Sequence, residues 1–324
     1  MTGLLAAGAA LVGFSLYARW IEPRWLEISH TEVALDGLDP AFDGYRLAFV
    51  SDIHWGLAES TEWLEDVVRR VNDLKPDLVA VGGDIIHSGT QNISEGLAIL
   101  DGLRAPDGVW CVLGNHDYQR YGRGAGPMRR ALGRTRIREL WNEAVPIRRG
   151  DAAFWLAGVG DLWRDACDFY AALAGVPSDE PRIVLCHNPD GHREIAGQRV
   201  DLMLSGHTHG GQVRLPFVGP IFTRTVSSRR LAAGLTSAGG TQVYVGRGVS
   251  EGKWKVRFLC PRELPVIALR APATTPDARR ARDRSACGTV SLADRWRRSW
   301  RHGVAEVARP AWTPWPGERC DEHA

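Results

Sequence analysis

A carboxylate and an imidazole stand two residues apart at the end of a short apolar run. The run covers residues 46–50, and Ser51-Asp52-Ile53-His54 follows it directly. On an extended chain, residues i and i+2 face the same side, so Asp52 and His54 are expected side by side. This pair of donors suits a borderline divalent cation such as Mn, Fe or Zn. Alone it is a weak signal, because Asp-x-His arises by chance in many proteins.

Four further apolar runs end in ligand-type residues. They lead into Gly82-Gly83-Asp84, Gly114-Asn115-His116-Asp117, Cys186-His187-Asn188-Pro189 and Ser205-Gly206-His207-Thr208-His209. In open α/β sheets, sites lie outside the carboxyl ends of the strands. The five strand ends can therefore converge, and their conjunction favours one metal centre.

The stretches between these motifs predict a β-α-β-α-β opening. Apolar residues recur at helical spacing from Leu64 to Leu74 after a cap at Ser60 or Thr61, and a second helix is expected at about 93–103. Such an opening predicts parallel strands with right-handed crossovers. Later strands are expected at Ala153–Val159, Arg182–Cys186, Leu202–Ser205, Gln242–Val245 and Val266–Leu269.

In this order, the five motifs resemble the signature of the calcineurin-like metallophosphoesterases. The resemblance spans about Tyr45 to Leu269, and the longer forms at 186–190, 205–212 and 245–248 are similar to one bacterial branch. That branch includes membrane-associated phosphodiesterases and UDP-diacylglucosamine pyrophosphatases. The resemblance implies an α/β fold, a layered αββα sandwich of two mixed sheets, with the metal site at the C-terminal ends of the strands.

Two divalent metal ions are expected in such a site, and one ligand must bridge them. Asp84 is the only carboxylate of the central Gly-Gly-Asp motif, so it is assigned as the bridge. By resemblance, the first ion takes Asp52, His54 and His209, and the second takes Asn115, His187 and His207. Donors of these types accept Mn, Fe, Zn or Co, with Mn favoured.

The resemblance makes His116 the general acid that protonates the leaving group. Asp117 would then orient His116 and favour its charged form. Two interpretations of His87 stay open: it lines the substrate side of the site, or it is a solvated histidine in a loop. Two roles of Arg247 also stay open: it contacts an anionic substrate, or it forms a structural salt bridge.

The implied function is that of a dinuclear metal-dependent phosphohydrolase, with a phosphodiesterase favoured. It would act on a phosphodiester or a lipid-linked pyrophosphate by attack of a metal-activated hydroxide. A protein phosphatase and a nuclease with the same site are alternatives. A non-catalytic scaffold of the same fold is disfavoured because every ligand position is filled.

The distribution of charge argues against a nucleic-acid partner. The chain carries a formal net charge of +2, but residues 271–324 hold ten arginines against seven acidic residues. The rest of the chain is therefore slightly acidic, whereas a nuclease calls for a basic face on its catalytic part.

Three regions are predicted along the chain. Residues 1–25 are interpreted as an N-terminal membrane anchor, 26–270 as the metallophosphoesterase domain and 271–324 as an Arg/Trp/Pro-rich tail. The uncharged run from Gly3 to Ala18 is shorter than the roughly 20 residues of a spanning helix, so a cleaved signal and a buried helix stay open.

Two features predict membrane association. Arg19 and Arg24 follow the apolar run, which favours the cytoplasmic face of the inner membrane. In the tail, Trp296 and Trp300 lie on one apolar stripe of a basic segment, and residues 291–308 therefore predict an amphipathic helix on the membrane surface. A helix packed on the domain and a disordered tail are the alternatives.

Overall fold

The computed structural model describes residues 12–57, 59–87, 90–118, 124–195, 197–252 and 254–272. Within residues 26–272 its α-helices are α1 (Thr61–Asp73), α2 (Ile93–Leu100), α3 (Gly126–Leu132) and α4 (Phe169–Leu173). Its first seven strands are β1 (Leu26–Ala34), β2 (Arg46–Val50), β3 (Leu78–Val81), β4 (Val109–Cys111), β5 (Ile137–Glu139), β6 (Glu143–Arg149) and β7 (Ala152–Gly158). The others are β8 (Arg182–Leu185), β9 (Leu202–Ser205), β10 (Arg214–Leu215), β11 (Gly219–Pro220), β12 (Gly234–Ala238), β13 (Thr241–Val245) and β14 (Arg262–Arg270).

Two six-stranded sheets form the centre of the molecule. The first has the order β1-β14-β2-β3-β4-β5, and all its neighbours are parallel except β14 and β2. The second has the order β12-β13-β9-β8-β7-β6, with a parallel centre and an antiparallel pair at each edge. Both sheets are therefore mixed.

Helix α1 shows how the sequence sets the outer layer. The Ser60 hydroxyl accepts a hydrogen bond from the amide of Trp63 and caps the first turn. Leu64, Val67 and Val71 recur at three- and four-residue spacing and are buried against the first sheet. Helices α2 and α3 pack into the same cluster.

The core between the sheets is formed by the apolar faces with which the two sheets pack against each other. Phe49 and Leu78 of the first sheet lie in one cluster with Phe154 and Leu185 of the second. A third cluster covers the far face of the second sheet and includes Phe169 of α4. The layers thus run helix, sheet, sheet, helix, and the predicted αββα sandwich with two mixed sheets is confirmed.

The last strand reaches back to the start of the domain. Strand β14 lies between β1 and β2 and pairs with both. Val266–Leu269 was predicted as a strand, but its place in the sheet was not, because strand order depends on pairing between distant parts of the chain.

Residues 12–25 contact the loop before β14. The amide of Arg257 donates to the carbonyl of Ala18 at 2.9 Å, and the buried Glu22 carboxylate accepts from the amides of Leu259 and Cys260. Over the described residues, none of the helices has both the length and the apolar character to cross a membrane. Since residues 1–11 lie outside the description, the anchor over 1–25 stays a prediction. The tail from 273 onward, where a helix is predicted over 291–308, also lies outside the described residues.

Replacing Phe154 by alanine should lower the free energy of unfolding by about 3–5 kcal/mol, because the ring fills the space between the sheets. It is fully buried, and its centroid lies 5.0 Å from that of Phe42 and 5.2 Å from that of Tyr45. Chemical denaturation measures the loss. Tyr170→Ala, which removes a largely exposed ring, is the control and should change stability little. Equal losses in both variants would contradict this account of the core.

Candidate metal centre

The predicted ligands come together where the strands of both sheets end. Asp52 and His54 follow β2, Asp84 follows β3, and Asn115 lies beyond β4 in the first sheet. From the second sheet, His187 follows β8, while His207 and His209 follow β9. All of these side chains are buried. The site therefore exists only when the two sheets are packed together.

Five of the predicted ligands have a left-handed backbone conformation. The φ angles lie between 49° and 69° for Asp52, His54, Asp84, His207 and His209. Such angles are uncommon outside glycine and cost on the order of 1–3 kcal/mol each, and they cluster at functional sites. Backbone bonds hold them here, for example from the amide of His54 to the carbonyl of Asp84 at 2.9 Å.

Two carboxylates are each fixed through one oxygen. Asp52 Oδ1 accepts from the amide of His207 at 2.8 Å, and Asp84 Oδ1 accepts from the amide of His116 at 2.8 Å. The bond of Asp52 crosses from one sheet to the other. The second oxygen of Asp52 has no hydrogen-bond partner, and the second oxygen of Asp84 faces His187 and His54.

The second oxygen of Asp84 lies between two groups of donors. The first group is Asp52, His54 and His209, with Nε2 of the two imidazoles 3.1 Å apart. The second is Asp84 itself with His187 and His207. Asp84 Oδ2 lies 3.2 Å from His187 Nε2 and 3.6 Å from His54 Nε2. One carboxylate oxygen thus faces both groups.

Several donor atoms at the site are buried without a hydrogen-bond partner. They are Asp52 Oδ2, Asn115 Oδ1, His209 Nδ1 and both ring nitrogens of His207. Buried polar atoms are nearly always paired, because an unpaired one costs free energy. The set of carboxylate, amide and imidazole donors fits divalent cations, which would bind Asp52 Oδ2, Asn115 Oδ1 and one ring nitrogen of His207.

Three of the four predicted imidazole ligands are in the protonation state that metal binding requires, and His187 is the exception. Burial lowers the pKa of His54 to about 3 and holds the pKa values of His207 and His209 well below the usual range. These rings are therefore neutral at pH 7, as imidazole ligands must be. Burial would also lower the pKa of His187, but the carboxylates of Asp84, Asp52 and Asp161 instead raise it to about 10. The site thus has a negative field that attracts cations.

His116 lies beside the first group of donors and is only partly buried. Its Nδ1 lies 2.9 Å from the carbonyl of His87, so Nδ1 carries the proton of that hydrogen bond. Its ring packs edge-to-face on His54, with centroids 4.8 Å apart, and stacks on the ring of His87 at 4.9 Å. His87, which the sequence left open, therefore lines the site.

The predicted role of Asp117 is wrong in this structure. Its two oxygens accept from the amides of Ile86 and Gly114, each at 2.9 Å, and the His116 ring is held instead by the carbonyl of His87. Burial, together with the charge of Asp84, raises the pKa of Asp117 to about 8. Asp117 therefore joins the loops after β3 and β4 rather than orienting its neighbour.

Sequence reasoning missed two residues in the loop after β7. Asp161 is buried, its Oδ1 accepts from the amides of Trp163 and Arg164, and its Oδ2 has no hydrogen-bond partner. Burial, with a contribution from the charge of Asp84, raises the pKa of Asp161 to about 6, although the charge of His187 acts in the opposite direction. The half-exposed Trp163 packs edge-to-face on His207, with ring centroids 4.4 Å apart. The sequence did contain a signal for Asp161: Gly160-Asp161 follows an apolar strand, which is the pattern that identified Asp84.

Arg247 belongs to the framework. Its guanidinium pairs with Glu27 at 2.8 Å and with Glu263 at 3.1 Å. These ion pairs settle the open alternative in favour of a structural salt bridge.

Comparison with known proteins places the chain in a family. The calcineurin-like phosphoesterase profile matches residues 45–211. The chain is 32% identical to the uncharacterized metallophosphoesterase YkuE of Bacillus subtilis strain 168, over 84% of this chain and 95% of that protein. It is 32% identical to the phosphodiesterase YaeI of Escherichia coli K12, over 82% and 97%.

A third relative is the UDP-2,3-diacylglucosamine pyrophosphatase LpxG of Chlamydia muridarum. It is 28% identical, over 82% of this chain and 95% of the relative. The chain belongs to the calcineurin-like phosphoesterase family, and it is a metal-dependent phosphoric ester hydrolase.

Replacing Asp117 by asparagine should lower the free energy of unfolding by about 1–3 kcal/mol. Asparagine has a single acceptor oxygen, so the buried amide of Ile86 or of Gly114 loses its partner. Asp168→Asn is the matched control, because the exposed Asp168 caps α4 and asparagine caps equally well. Denaturation curves compare the two. A loss as large in Asp168→Asn, or none in Asp117→Asn, would contradict the role given to Asp117.

Proposed function

We propose that this chain is a dinuclear phosphodiesterase or pyrophosphatase whose two metal ions share Asp84. The observation that carries the proposal is the position of Asp84 Oδ2, which lies 3.2 Å from His187 and 3.6 Å from His54. These imidazoles belong to different donor groups and different sheets. A carboxylate can bridge two cations, whereas a neutral imidazole cannot.

The two donor groups and the family resemblance divide the remaining ligands between the ions. Asp52, His54 and His209 would hold one ion with Asp84, and His187, His207 and Asn115 would hold the other. Mn²⁺ is the preferred ion because the set mixes hard oxygen donors with imidazoles. When bound, the two ions supply Lewis acidity and positive charge for a phosphate group and for water.

His116 is proposed as the proton donor to the leaving group. The carbonyl of His87 holds Nδ1, so ring rotation is restricted and Nε2 is the nitrogen available to the substrate. Partial exposure lets His116 reach a bound ester, whereas the ligand His54 beneath it is buried. His87 has the role of positioning this ring.

A substrate with an organic group on each side of the phosphate is supported by two features. The exposed face of Trp163 offers apolar surface beside His207. The buried carboxylate of Asp161 adds negative charge, which opposes a dianionic monoester more than a monoanionic diester. The names of YaeI and LpxG, a phosphodiesterase and a lipid pyrophosphatase, agree with this class. We also propose that the enzyme lies at the cytoplasmic face of the inner membrane, because Arg19 and Arg24 follow the apolar run.

Asp84→Ala should abolish binding of both ions, whereas His116→Ala should keep both and lower turnover by about 10²–10⁴-fold. One variant removes the shared ligand, and the other removes a proton donor. Metal analysis after loading with Mn²⁺, together with diester turnover, separates the two effects. His30→Ala, an exposed histidine of β1, is the control and should match the parent protein. Two ions retained by Asp84→Ala would contradict the bridge.

Bis(4-nitrophenyl) phosphate should be hydrolysed faster than 4-nitrophenyl phosphate at matched concentrations. In Asp161→Asn the difference should narrow, because a negative charge near the ester is removed. The substitution keeps the oxygen that accepts both loop amides, so the loop is preserved. Initial rates with the two esters, and with a UDP-linked lipid pyrophosphate, give the comparison. Faster turnover of the monoester by the parent protein would overturn the assigned class.

A further inference from the structure

Exposed apolar side chains of this protein are concentrated on three segments, residues 12–25, 213–230 and 254–260. Fourteen of the eighteen large apolar side chains that are exposed among the described residues belong to them. They include Phe14, Trp20, Phe217, Phe222 and Trp254. Contiguous apolar surface of this kind marks an interaction site, whereas single exposed residues need no explanation.

The three segments are in contact and form one surface, here called the apolar rim. Phe258 is central to it: its carbonyl accepts from the amide of Arg214 at 2.9 Å, and its ring lies 4.5 Å from that of Phe14. The rings of Phe222 and Trp254 are 6.3 Å apart. The buried Glu22 ties residues 12–25 to the same loop.

The most exposed side chain of the apolar rim lies in the short hairpin formed by β10 and β11. Each strand has two residues, and the turn between them presents Phe217 and Val218. Phe217 is fully exposed and has a φ angle of 63°, which is unusual for a bulky residue. Neither burial within the described fold nor backbone preference accounts for an aromatic side chain here.

The charges of the apolar rim have a single sign at its surface. Seven arginine and lysine side chains of the three segments are partly or fully exposed, among them Arg24, Arg214, Arg229 and Arg230. The only carboxylate is Glu22, which is buried. Arg19 and Arg24 lie over the ring of Trp20, at 4.7 and 5.3 Å from its centroid. Tryptophan beside arginine is typical of a protein surface at the level of lipid headgroups.

The apolar rim begins beside the metal centre. The guanidinium of Arg214 donates to the carbonyl of Gly210 at 3.1 Å, and the thiol of Cys260 donates to the carbonyl of His209 at 3.4 Å. Two of the three segments therefore contact the loop that carries a predicted ligand. A headgroup held at the apolar rim would lie close to the reacting centre.

We propose that the apolar rim docks on an anionic lipid bilayer, with Phe217 and Val218 inserted among the acyl chains and the basic side chains on the headgroups. Apolar insertion and attraction to anionic lipid add to each other in such surfaces. Docking itself is independent of the proposed hydrolysis. Only its consequence, the presentation of a lipid-linked ester to the site, rests on the proposed function.

The test is co-sedimentation of the full chain with vesicles of phosphatidylcholine alone or mixed with phosphatidylglycerol. The parent protein should bind the mixed vesicles, and binding should weaken as salt is added. Phe217→Ser combined with Val218→Ser, here called the hairpin variant, should lower the partition coefficient at least about tenfold, because two apolar side chains no longer leave water. Tyr170→Ser, which removes an exposed ring far along the chain from the apolar rim, should bind like the parent.

Two results would overturn the proposal. One is equal binding by the parent and the hairpin variant, which would assign membrane binding to another part of the chain. The other is an absence of vesicle binding by the parent. If light scattering then shows a dimer for the parent and a monomer for the hairpin variant, the apolar rim is a contact between two copies of the chain.

Turnover of bis(4-nitrophenyl) phosphate should be the same in the parent and the hairpin variant. Failure to hydrolyse it would count against the proposed function and leave the docking result intact.

Discussion

The arrangement of the site depends on the carboxylate of Asp84, which lies where the two sheets meet. One oxygen is held by the amide of His116 and the other faces His54 and His187. His54 follows a strand of the first sheet and His187 follows a strand of the second. A shift of one sheet against the other would separate these imidazoles, so core packing between the sheets determines the geometry of the site.

Glycine residues in the neighbouring loops leave room for the carboxylates of Asp84 and Asp52. A Cβ atom on Gly114 would lie 2.3 Å from Asp84 Oδ1, and one on Gly206 would lie 2.4 Å from Asp52 Oδ2. These contacts are shorter than any side chain tolerates, so the loops can approach the carboxylates only as glycine. The left-handed backbone at the ligands adds free energy that the surrounding hydrogen bonds must offset. The motifs therefore combine donors with the glycines that allow them to converge.

Most strands, the first helix and the donor residues at the strand ends could be predicted from the sequence because they are encoded locally. Strand ends followed by ligand-type residues, and the capped spacing of α1, are short-range patterns. The place of β14 between β1 and β2 could not be predicted, since it depends on pairing across most of the chain. The role of Asp117 was predicted wrongly for a similar reason: adjacency in sequence suggested His116, whereas its carboxylate binds the amide of Ile86 from another loop.

The central claim is that one carboxylate oxygen joins two ion sites contributed by both sheets. The most direct test is anomalous diffraction from crystals grown with Mn²⁺. The account predicts two manganese peaks for each chain, one beside His54 and one beside His187, both coordinated by Asp84. A single peak, or two peaks of which only one is coordinated by Asp84, would contradict it.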